Sequence, residues 1–389
     1  MDVLLGQVTH YFTHLGVAVI ALKGELNIGD TLLFLGHTTD LTQVVCSIEQ
    51  EHRRLNSAQA GMTVAVKVDE AVRQGDNIYK IVDDTQNPEN QALWRTMRQV
   101  LEVVYHTYQP IFADFLQRYG LSEHAVSILL AAITMEPSTI SPERLQVRGP
   151  YTAEQTWMAR LHAAAEKGFL SEPEPGEFRL NRQGRSRVQK LIAESRSAMQ
   201  RADPLPLEQG ERLVALLGRL VQACLFTSPP PDTWCIRLSY QIMPSEEMPL
   251  PYIEQALSCL QAYRDDAHLA AWVPSGLSAP ALEALTLIWR AEAHSLETIY
   301  DKLAGRGFEK HDYRANLAEL RQRGLLEGKD NNLRLTQAGQ EFREAVESDT
   351  NRYFYTPWSI LEPHEKLELS CLLADLRDGL RQKIPMVSL

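Results

Sequence analysis

Polar and basic side chains gather at the start of one predicted helix and along the segment that follows it. Hydroxyl, amide and guanidinium groups at a helix N-terminus can meet base edges, and a run of arginines can neutralise phosphates. The pattern therefore predicts contact with duplex DNA. The candidate residues are Thr152, Gln155, Thr156, Arg160, Arg179, Arg182, Arg185, Arg187 and Lys190.

A second set of candidate DNA contacts occurs on a later predicted helix and the hairpin after it. Acidic residues such as Glu309 and Asp312 stand among these cations. Because phosphate contact needs positive surface, the first set is the stronger candidate. The alternative for both sets is a solvated helix face. The second set is Lys310, His311, Arg314 and Arg334.

Other kinds of chemistry lack a sequence signature. The chain has no G-x-S-x-G, H-E-x-x-H, G-x-G-x-x-G or paired Cys/His motif, so we predict no catalytic residues, no metal and no cofactor, and favour a non-enzymatic protein. Aromatic residues form one candidate ligand groove, with a place in the core as the alternative. These aromatic residues are Trp157, Trp289, Tyr353, Tyr355 and Trp358.

An internal repeat organises the elements that carry these residues. Leu161–Leu170 recurs as Leu317–Leu326, at an offset of 156, and the register slips by one around Gly184 and Gly339. We call residues 97–225 the first copy and residues 253–381 the second copy. A duplication on one chain predicts a pseudo-twofold arrangement, with a groove between the copies.

Each copy reads as a short helix, a sharp turn, a longer helix, a two-strand wing and a long exit helix. In the second copy the two helices are predicted over 295–303 and 310–323. This order is that of a winged helix. Three local signals support it, namely a capping box at Thr152 and Gln155, a C-terminal Gly324, and the pair Thr336 and Gly339 at the start of the second exit helix.

The second copy also resembles a known family. Residues 320–326 (LRQRGLL), followed by residues 335–339 (LTQAG), resemble the signature of MarR-type regulators. Residues 97–381 as a whole resemble tandem winged-helix proteins of actinobacterial type, whose function is unassigned. The resemblance implies that the two exit helices pair within one chain.

The N-terminal segment reads as strands. Short runs rich in β-branched residues alternate with glycine-containing turns, which predicts a small closed barrel. The predicted strands are 17–22, 31–35, 43–48, 63–68 and 77–81.

This segment resembles the second-domain barrel of elongation factor Tu-type GTPases, in its stand-alone bacterial version. The resemblance rests on residues 6–12, 16–20, 29–31, 36–40 and 75–76. It implies contact with tRNA ends or ribosomal components. No G-x-x-x-x-G-K-[ST] occurs, so GTP is not an expected ligand.

The totals describe an ordinary globular protein of 389 residues, with 44% hydrophobic and 23% charged residues. The net charge of −11 divides into −5 for residues 1–84, +1 for the first copy and −6 for the second. No apolar run is long enough to span a membrane, and no signal peptide is evident. Five scattered cysteines indicate reduced thiols and a cytoplasmic protein.

These observations predict an α+β multidomain protein with a small β-barrel followed by two tandem winged-helix domains in a pseudo-dimer. The expected domains are residues 1–84, 97–225 and 253–381, with a Pro-rich linker over 226–252. The expected function is a MarR-like transcription regulator that contacts duplex DNA through the first copy, modulated by a protein partner or small-molecule effector. The alternatives are a ribosome-associated scaffold and a small-molecule binder in the groove between the copies.

Overall fold

A computed structural model describes residues 2–36, 39–51, 53–81 and 88–383. Residues 37–38, 52 and 82–84 of the predicted barrel domain lie outside the described residues. The fold is mixed α+β, with an antiparallel sheet at the N-terminus and helices through most of the rest, which confirms the predicted class. Within the described residues, no helix has the length and apolar character needed to cross a membrane.

Two compact units divide the chain. The first holds the described residues of Met1–His106, Ala202–Leu217 and Leu361–Leu389, and the second holds Thr107–Arg201 and Gly218–Ile360.

The N-terminal sheet has eight antiparallel strands in the order β5-β4-β10-β1-β2-β9-β6-β7, and β3 pairs with β8 separately. Alternating side chains enter one core, because successive residues of a strand face opposite sides. Ile20, Phe34, Val66 and Ile78 are fully buried there. The strands are β1 (Asp2–Phe12), β2 (Val17–Leu22), β3 (Leu26–Asn27), β4 (Thr31–Leu35), β5 (Asp40–Val44), β6 (Ile48–Gln50), β7 (Arg53–Leu55), β8 (Ser57–Ala58), β9 (Thr63–Lys67) and β10 (Asn77–Ile81).

The sheet curls but stays open, whereas the sequence predicts a closed barrel. Among the described residues, β5 and β7 end the strand order without pairing to each other. A side chain from a helix caps one edge instead: the Arg95 guanidinium donates to the Thr42 carbonyl on β5. This hydrogen bond satisfies one outward-facing carbonyl of the edge strand, and a covered edge is one way in which proteins manage an open sheet.

The rest of the described chain forms helices and two hairpins. Short 3₁₀ turns occupy Val273–Ser275, Ala304–Arg306 and Thr356–Ile360. The longer elements are α1 (Pro88–Tyr119), α2 (Ala125–Thr134), α3 (Pro142–Arg148), α4 (Glu154–Glu166), β11 (Leu170–Glu174), β12 (Glu177–Leu180), α5 (Arg182–Ala202), α6 (Leu207–Leu225), α7 (Trp234–Tyr240), α8 (Pro249–Trp272), α9 (Ala279–Trp289), α10 (Leu296–Leu303), α11 (Lys310–Gln322), β13 (Leu326–Lys329), β14 (Asn332–Leu335), α12 (Gln337–Tyr355) and α13 (Pro363–Lys383).

The local signals of the second copy are confirmed. Gly324 follows α11 with a φ of 72°, in the left-handed region that favours glycine after a helix. The Thr336 hydroxyl accepts from the Gly339 N–H at the start of α12. The capping box predicted for the first copy is wrong: α4 is preceded by Ala153, and no side chain caps it.

Candidate functional site

A cleft of about 520 Å³ opens in the second unit, where α2 and α5 meet the segment between α7 and α8. A volume of a few hundred Å³ is typical of binding sites in proteins. The cleft is lined by Ile133, Gln189, Ile192, Ala193, Arg196, Ser197, Gln200, Gln241, Ile242, Met243 and Met248.

Helical periodicity brings the α5 contribution onto one wall. Its lining residues recur at intervals of three and four, which places them on a single face of the helix. The opposite face is buried, with Val188, Leu191 and Met199 in the core. The wall of the cleft is therefore the side of α5 that the core leaves free.

The opposing wall is held by one side chain. The Arg196 guanidinium donates to the Ile242 carbonyl, which ties the segment after α7 to α5. Burial lowers the pKa of Arg196, while Glu254 on α8 partly offsets that effect. Glu254 also accepts from the Tyr108 hydroxyl at 3.0 Å, which ties α8 to α1.

The lining combines apolar surface with amides and one cation. Isoleucine and methionine side chains form the apolar part, and Gln189, Gln200 and Gln241 are exposed amides at its rim. An amide side chain both donates and accepts hydrogen bonds, and methionine adapts to varied partners. Of the eleven described residues that line the cleft, none is Asp, Glu, His or Cys. The lining suits binding of a polypeptide better than acid–base chemistry.

The predicted DNA contacts at the start of α4 lie against the 3₁₀ turn before α11. The Ala153 N–H donates to the Arg306 carbonyl at 2.8 Å. The Gln155 amide donates to the Gly307 carbonyl at 3.0 Å, and Arg160 donates to the Gly305 carbonyl at 3.3 Å. Thr152 is 3% exposed, and Thr156 abuts the Cα of Gly307. These residues serve a contact within the chain.

The remaining basic candidates of the first copy are spread over β12 and α5. Arg179 and Arg182 are exposed. Arg185 pairs with Glu136 at 2.7 Å, Lys190 lies 3.7 Å from Glu194, and Arg187 lies over the Tyr119 ring at 4.6 Å. The hairpin beside them carries the exposed Glu172 and Glu174, so this surface is mixed in charge.

The cations predicted in the second copy lie beside carboxylates of the same copy. Lys310 pairs with Glu297, Arg314 lies 3.4 Å from Asp330, and Arg334 lies 3.9 Å from Glu327. His311 is exposed and lies 3.3 Å from Asp312. Each of these side chains has an acidic neighbour, which weakens the positive potential that a phosphate would meet.

The candidate groove aromatics fall into three places. Trp157 packs into the core of the first copy. Trp289 lies under the guanidinium of Arg343, 4.8 Å from the ring centre. Tyr355 and Trp358 meet edge to face near the end of α12, with ring centres 5.1 Å apart, and Tyr353 lies under Arg352 at 4.4 Å. Trp358 is fully buried.

Comparisons with known proteins find relatives that are named as a protease and a collagenase. An uncharacterized protease of Methanocaldococcus jannaschii is 38% identical to this chain over 76 residues, which cover 19% of either chain. A collagenase of Porphyromonas gingivalis is 35% identical over 80 residues, which cover 20% of this chain and 19% of the collagenase. The chain thus spans about a fifth of the length of the curated relatives that it matches.

Two further likenesses concern the fold. A model described as a helix-turn-helix family matches residues 240–385. The solved C-terminal domain of a putative U32 peptidase from Geobacillus thermoleovorans is 25% identical; the match covers 20% of this chain and 91% of that domain, with a TM-score of 0.20.

The predicted function, a MarR-type transcription regulator that contacts duplex DNA, is wrong. The relatives found by sequence are a protease and a collagenase. The physical reasons lie in the geometry above: the start of α4 contacts another part of the chain, and the cations of the second copy have acidic neighbours. Duplex DNA is accordingly not the expected partner.

The cleft was not predicted from the sequence. One weak signal in the sequence could have indicated it. The helix after the first wing has a second, partly apolar face, on which Ile192 lies near Arg196 and several glutamines. The other wall comes from residues read only as a linker. Among the described residues, no group of three or more His, Cys, Asp and Glu could hold a metal ion.

Proposed function

We propose that this protein is a polypeptide-binding component of a proteolytic system, and that the cleft along α5 holds an extended segment of an unfolded chain without cleaving it. The observation that carries the proposal is the lining of the cleft, where exposed glutamine amides border an apolar floor. The protease and collagenase names of the relatives support polypeptide as the ligand class.

The dimensions suit such a ligand. Gln189 and Gln200 stand eleven residues apart on α5, which is roughly 16 Å along a helix. An extended chain rises about 3.3 Å per residue, so the cleft accommodates about five residues. Glutamine amides at both ends can hydrogen-bond to the backbone of any sequence, while Ile192 and the methionines contact its apolar side chains.

The architecture around the cleft is part of the proposal. We infer that the two copies are duplicated winged helices used for protein contact. Their elements follow one order, and Gly184 and Gly339 make the same close approach to a backbone carbonyl, at Phe169 and Leu325 respectively. We further infer that the N-terminal sheet is related to the second-domain barrel of elongation factor Tu-type proteins, in an open form.

The pairing of α6 with α13 supports a pseudo-twofold axis. Arg212 forms a double hydrogen bond with Glu368, 156 residues away. That separation equals the offset of the repeat, so the two partners occupy equivalent positions. In an isologous dimer, a residue that contacts its own equivalent lies on the twofold axis.

Fluorescence anisotropy of the full chain tests the binding. The probes are fluorescein-labelled peptides from denatured collagen and from reduced casein. Ile192→Glu places a charge on the apolar floor and is expected to weaken binding at least about tenfold, equivalent to ~1.4 kcal/mol. The double change Gln189→Ala with Gln200→Ala is expected to weaken it less. Gln183→Ala, an exposed glutamine of α5 outside the cleft, is the matched control.

Two results would refute the proposal. One is equal affinity for the wild type and Ile192→Glu, which would remove the cleft as the site. The other is cleavage of the probes by the wild type, seen as new peptide masses after prolonged incubation, which would make the protein a peptidase. Unchanged probe masses with cleft-dependent binding support it.

A further inference from the structure

We propose that Cys46 and Cys371 form a redox modification site, which an oxidant of the hydroperoxide class closes into a disulfide. The site lies in the first unit, between the sheet and α13, and is independent of the proposed polypeptide binding. The two residues are 325 positions apart in the sequence, so only the fold brings them together.

The two thiols are neighbours where α13 packs on the sheet. Cys46 lies in the short loop between β5 and β6, with its Sγ 3.8 Å from the Val44 carbonyl oxygen. The nearby Cys371 on α13, followed by burial, raises the pKa of the Cys46 thiol, whereas Ser370 on α13 lowers it. The close approach of two sulfurs is the first requirement for a disulfide.

The packing of α13 gives the same placement independently. Leu367, Cys371, Asp375 and Asp378 follow one another at intervals of three or four, and so share one face of the helix. At one end of this face, the Leu367 side chain packs closely on Gly29: a Cβ added to that glycine would lie 3.4 Å from it.

The other end of this face meets β9. Lys67 lies 4.0 Å from Asp375 and 2.5 Å from Asp378. At the Leu367 end, the Gly29 N–H donates to the Val45 carbonyl at 2.9 Å, beside Cys46. Cys371 lies on the same face of α13, between the contact of Leu367 with Gly29 and the ion pairs of Lys67, and therefore faces the loop that carries Cys46.

A buried ion network holds this interface in register. Arg377 is 1% exposed and pairs with Asp69 at 2.9 Å and with Asp378 at 2.9 Å. Its guanidinium also donates to the Gln99 side chain at 2.8 Å. Because the helix is fixed on the sheet, closing the bond requires little movement of the backbone, which favours the intramolecular product.

The other three cysteines differ in access. Cys224, Cys235 and Cys259 are fully buried in the second unit, whereas Cys46 and Cys371 are both partly exposed. Susceptibility of a thiol to oxidation follows its exposure as well as its thiolate character. An oxidant in solution therefore reaches the pair in the first unit and not the buried thiols.

The reaction is a two-electron oxidation that balances with one hydroperoxide. One cysteine, as thiolate, attacks the terminal oxygen of the peroxide; the O–O bond breaks, the alkoxide leaves and takes up a proton as ROH, and a sulfenic acid forms. The second thiol then attacks that sulfur, the S–S bond forms, and hydroxide leaves with the proton of the thiol as water. The net change is two thiols and ROOH to a disulfide, ROH and water.

Intact-mass and thiol analysis of the full chain, before and after one equivalent of hydrogen peroxide, test the site. We expect the titratable thiols of the denatured protein to fall from the five of the sequence to three, with a mass loss of about 2 Da. A digest should contain one linked peptide pair with Cys46 and Cys371. The melting temperature should rise by at least about 2 °C and return on reduction, because the bond closes a long loop.

Cys46→Ser and Cys371→Ser should each abolish the linked peptide and the thermal shift, and Cys224→Ser is the matched control that should keep both. Using both serine variants keeps the test decisive if one of them folds poorly. Overoxidation of either cysteine without a bond, a disulfide that maps to another pair, or five remaining thiols would each overturn the proposal.

Discussion

The exit helices α5 and α12 occupy equivalent places in the repeat but present opposite chemistry. At the register of 155, Val188 corresponds to Arg343 and Ile192 to Glu347. The first copy buries Val188 and leaves Ile192 on the floor of an open cleft. The second copy buries Arg343, with 1% exposure, between Glu347 and Trp289. At these positions the first copy has apolar side chains and the second copy has a polar network.

The network of the second copy extends to α8. The Nδ1 of His268 lies 3.1 Å from the Thr350 hydroxyl, and Arg264 lies 4.0 Å from Glu347. His268 corresponds to Phe112 in the first copy. A buried network of this kind fixes one arrangement of helices rather than adding much free energy. If the two copies share one frame, as we propose, they differ in the side chains that α5 and α12 carry at these positions.

If the two copies share one frame, equivalent glycine substitutions should destabilise both copies to the same extent. A Cβ added to Gly184 would stand 2.1 Å from the Phe169 carbonyl oxygen, and one added to Gly339 would stand 2.0 Å from the Leu325 oxygen. We expect Gly184→Ala and Gly339→Ala each to lower the free energy of unfolding by about 2–4 kcal/mol. Urea unfolding measures this change.

The control for that pair is Gly305→Ala, because a Cβ there meets no atom within 4 Å. It should change stability by less than about 1 kcal/mol. Unequal losses at Gly184 and Gly339, with one variant near the wild type, would contradict the shared frame.

The network should be broken by exchanging a single residue for its equivalent in the first copy. Arg343→Val leaves Glu347 without its 2.5 Å partner and is expected to lower the free energy of unfolding by about 2–3 kcal/mol. Adding Glu347→Ile restores the apolar pair of the first copy, and the double variant should recover most of that loss. Urea midpoints of the wild type, Arg343→Val, Glu347→Ile and the double variant form a double-mutant cycle.

A double variant less stable than Arg343→Val alone would be inconsistent with an equivalence between the two surfaces. The reverse exchange, Ile192→Glu in the cleft, is the variant that separates polypeptide binding from folding, since Ile192 is only half-buried.

Several strands of the N-terminal sheet could be predicted from the sequence because local signals specify them. The strands at 17–22, 31–35 and 77–81 have the predicted bounds. The predicted strand over 43–48 divides into β5 and β6, because the chain between them bonds elsewhere: the Val45 N–H donates to the Asp30 carbonyl at 2.9 Å.

The site depends on contacts between distant segments, which sequence periodicity does not record. The start of α4 looked like a free, capped terminus, yet its Ala153 N–H is satisfied by Arg306, far along the chain. One wall of the cleft lies in a segment that was predicted as a linker because it is rich in proline, although it contains α7 (Trp234–Tyr240). The hydrogen bond from Arg196 to the Ile242 carbonyl has no sequence signature in either segment.

The smallest expected effect is the pH response of the polar network. Burial lowers the pKa of His268 to about 4, and Arg343, Arg264 and Arg290 add to this, while Glu347 opposes it. In the unfolded chain the histidine titrates near its ordinary value of 6.5. Between these values the unfolded state binds more protons than the folded state. The free energy of unfolding is therefore unaffected by His268 above pH 6.5 and decreases as the pH falls toward 4.

His268→Gln removes this response while keeping a polar partner for Thr350. From pH 7 to pH 5, the wild type should lose about 1–2 kcal/mol more of its free energy of unfolding than the variant does. Asp266, whose pKa burial raises to about 6, has the opposite sign in this range, but it is present in both proteins and cancels in the difference. Parallel urea titrations of the two proteins at several pH values measure that difference.

Because the first copy carries Phe112 at the equivalent position, His268→Phe should remove the response to the same extent. A pH dependence identical in all three proteins would mean that His268 titrates normally and that the second copy differs from the first in packing alone.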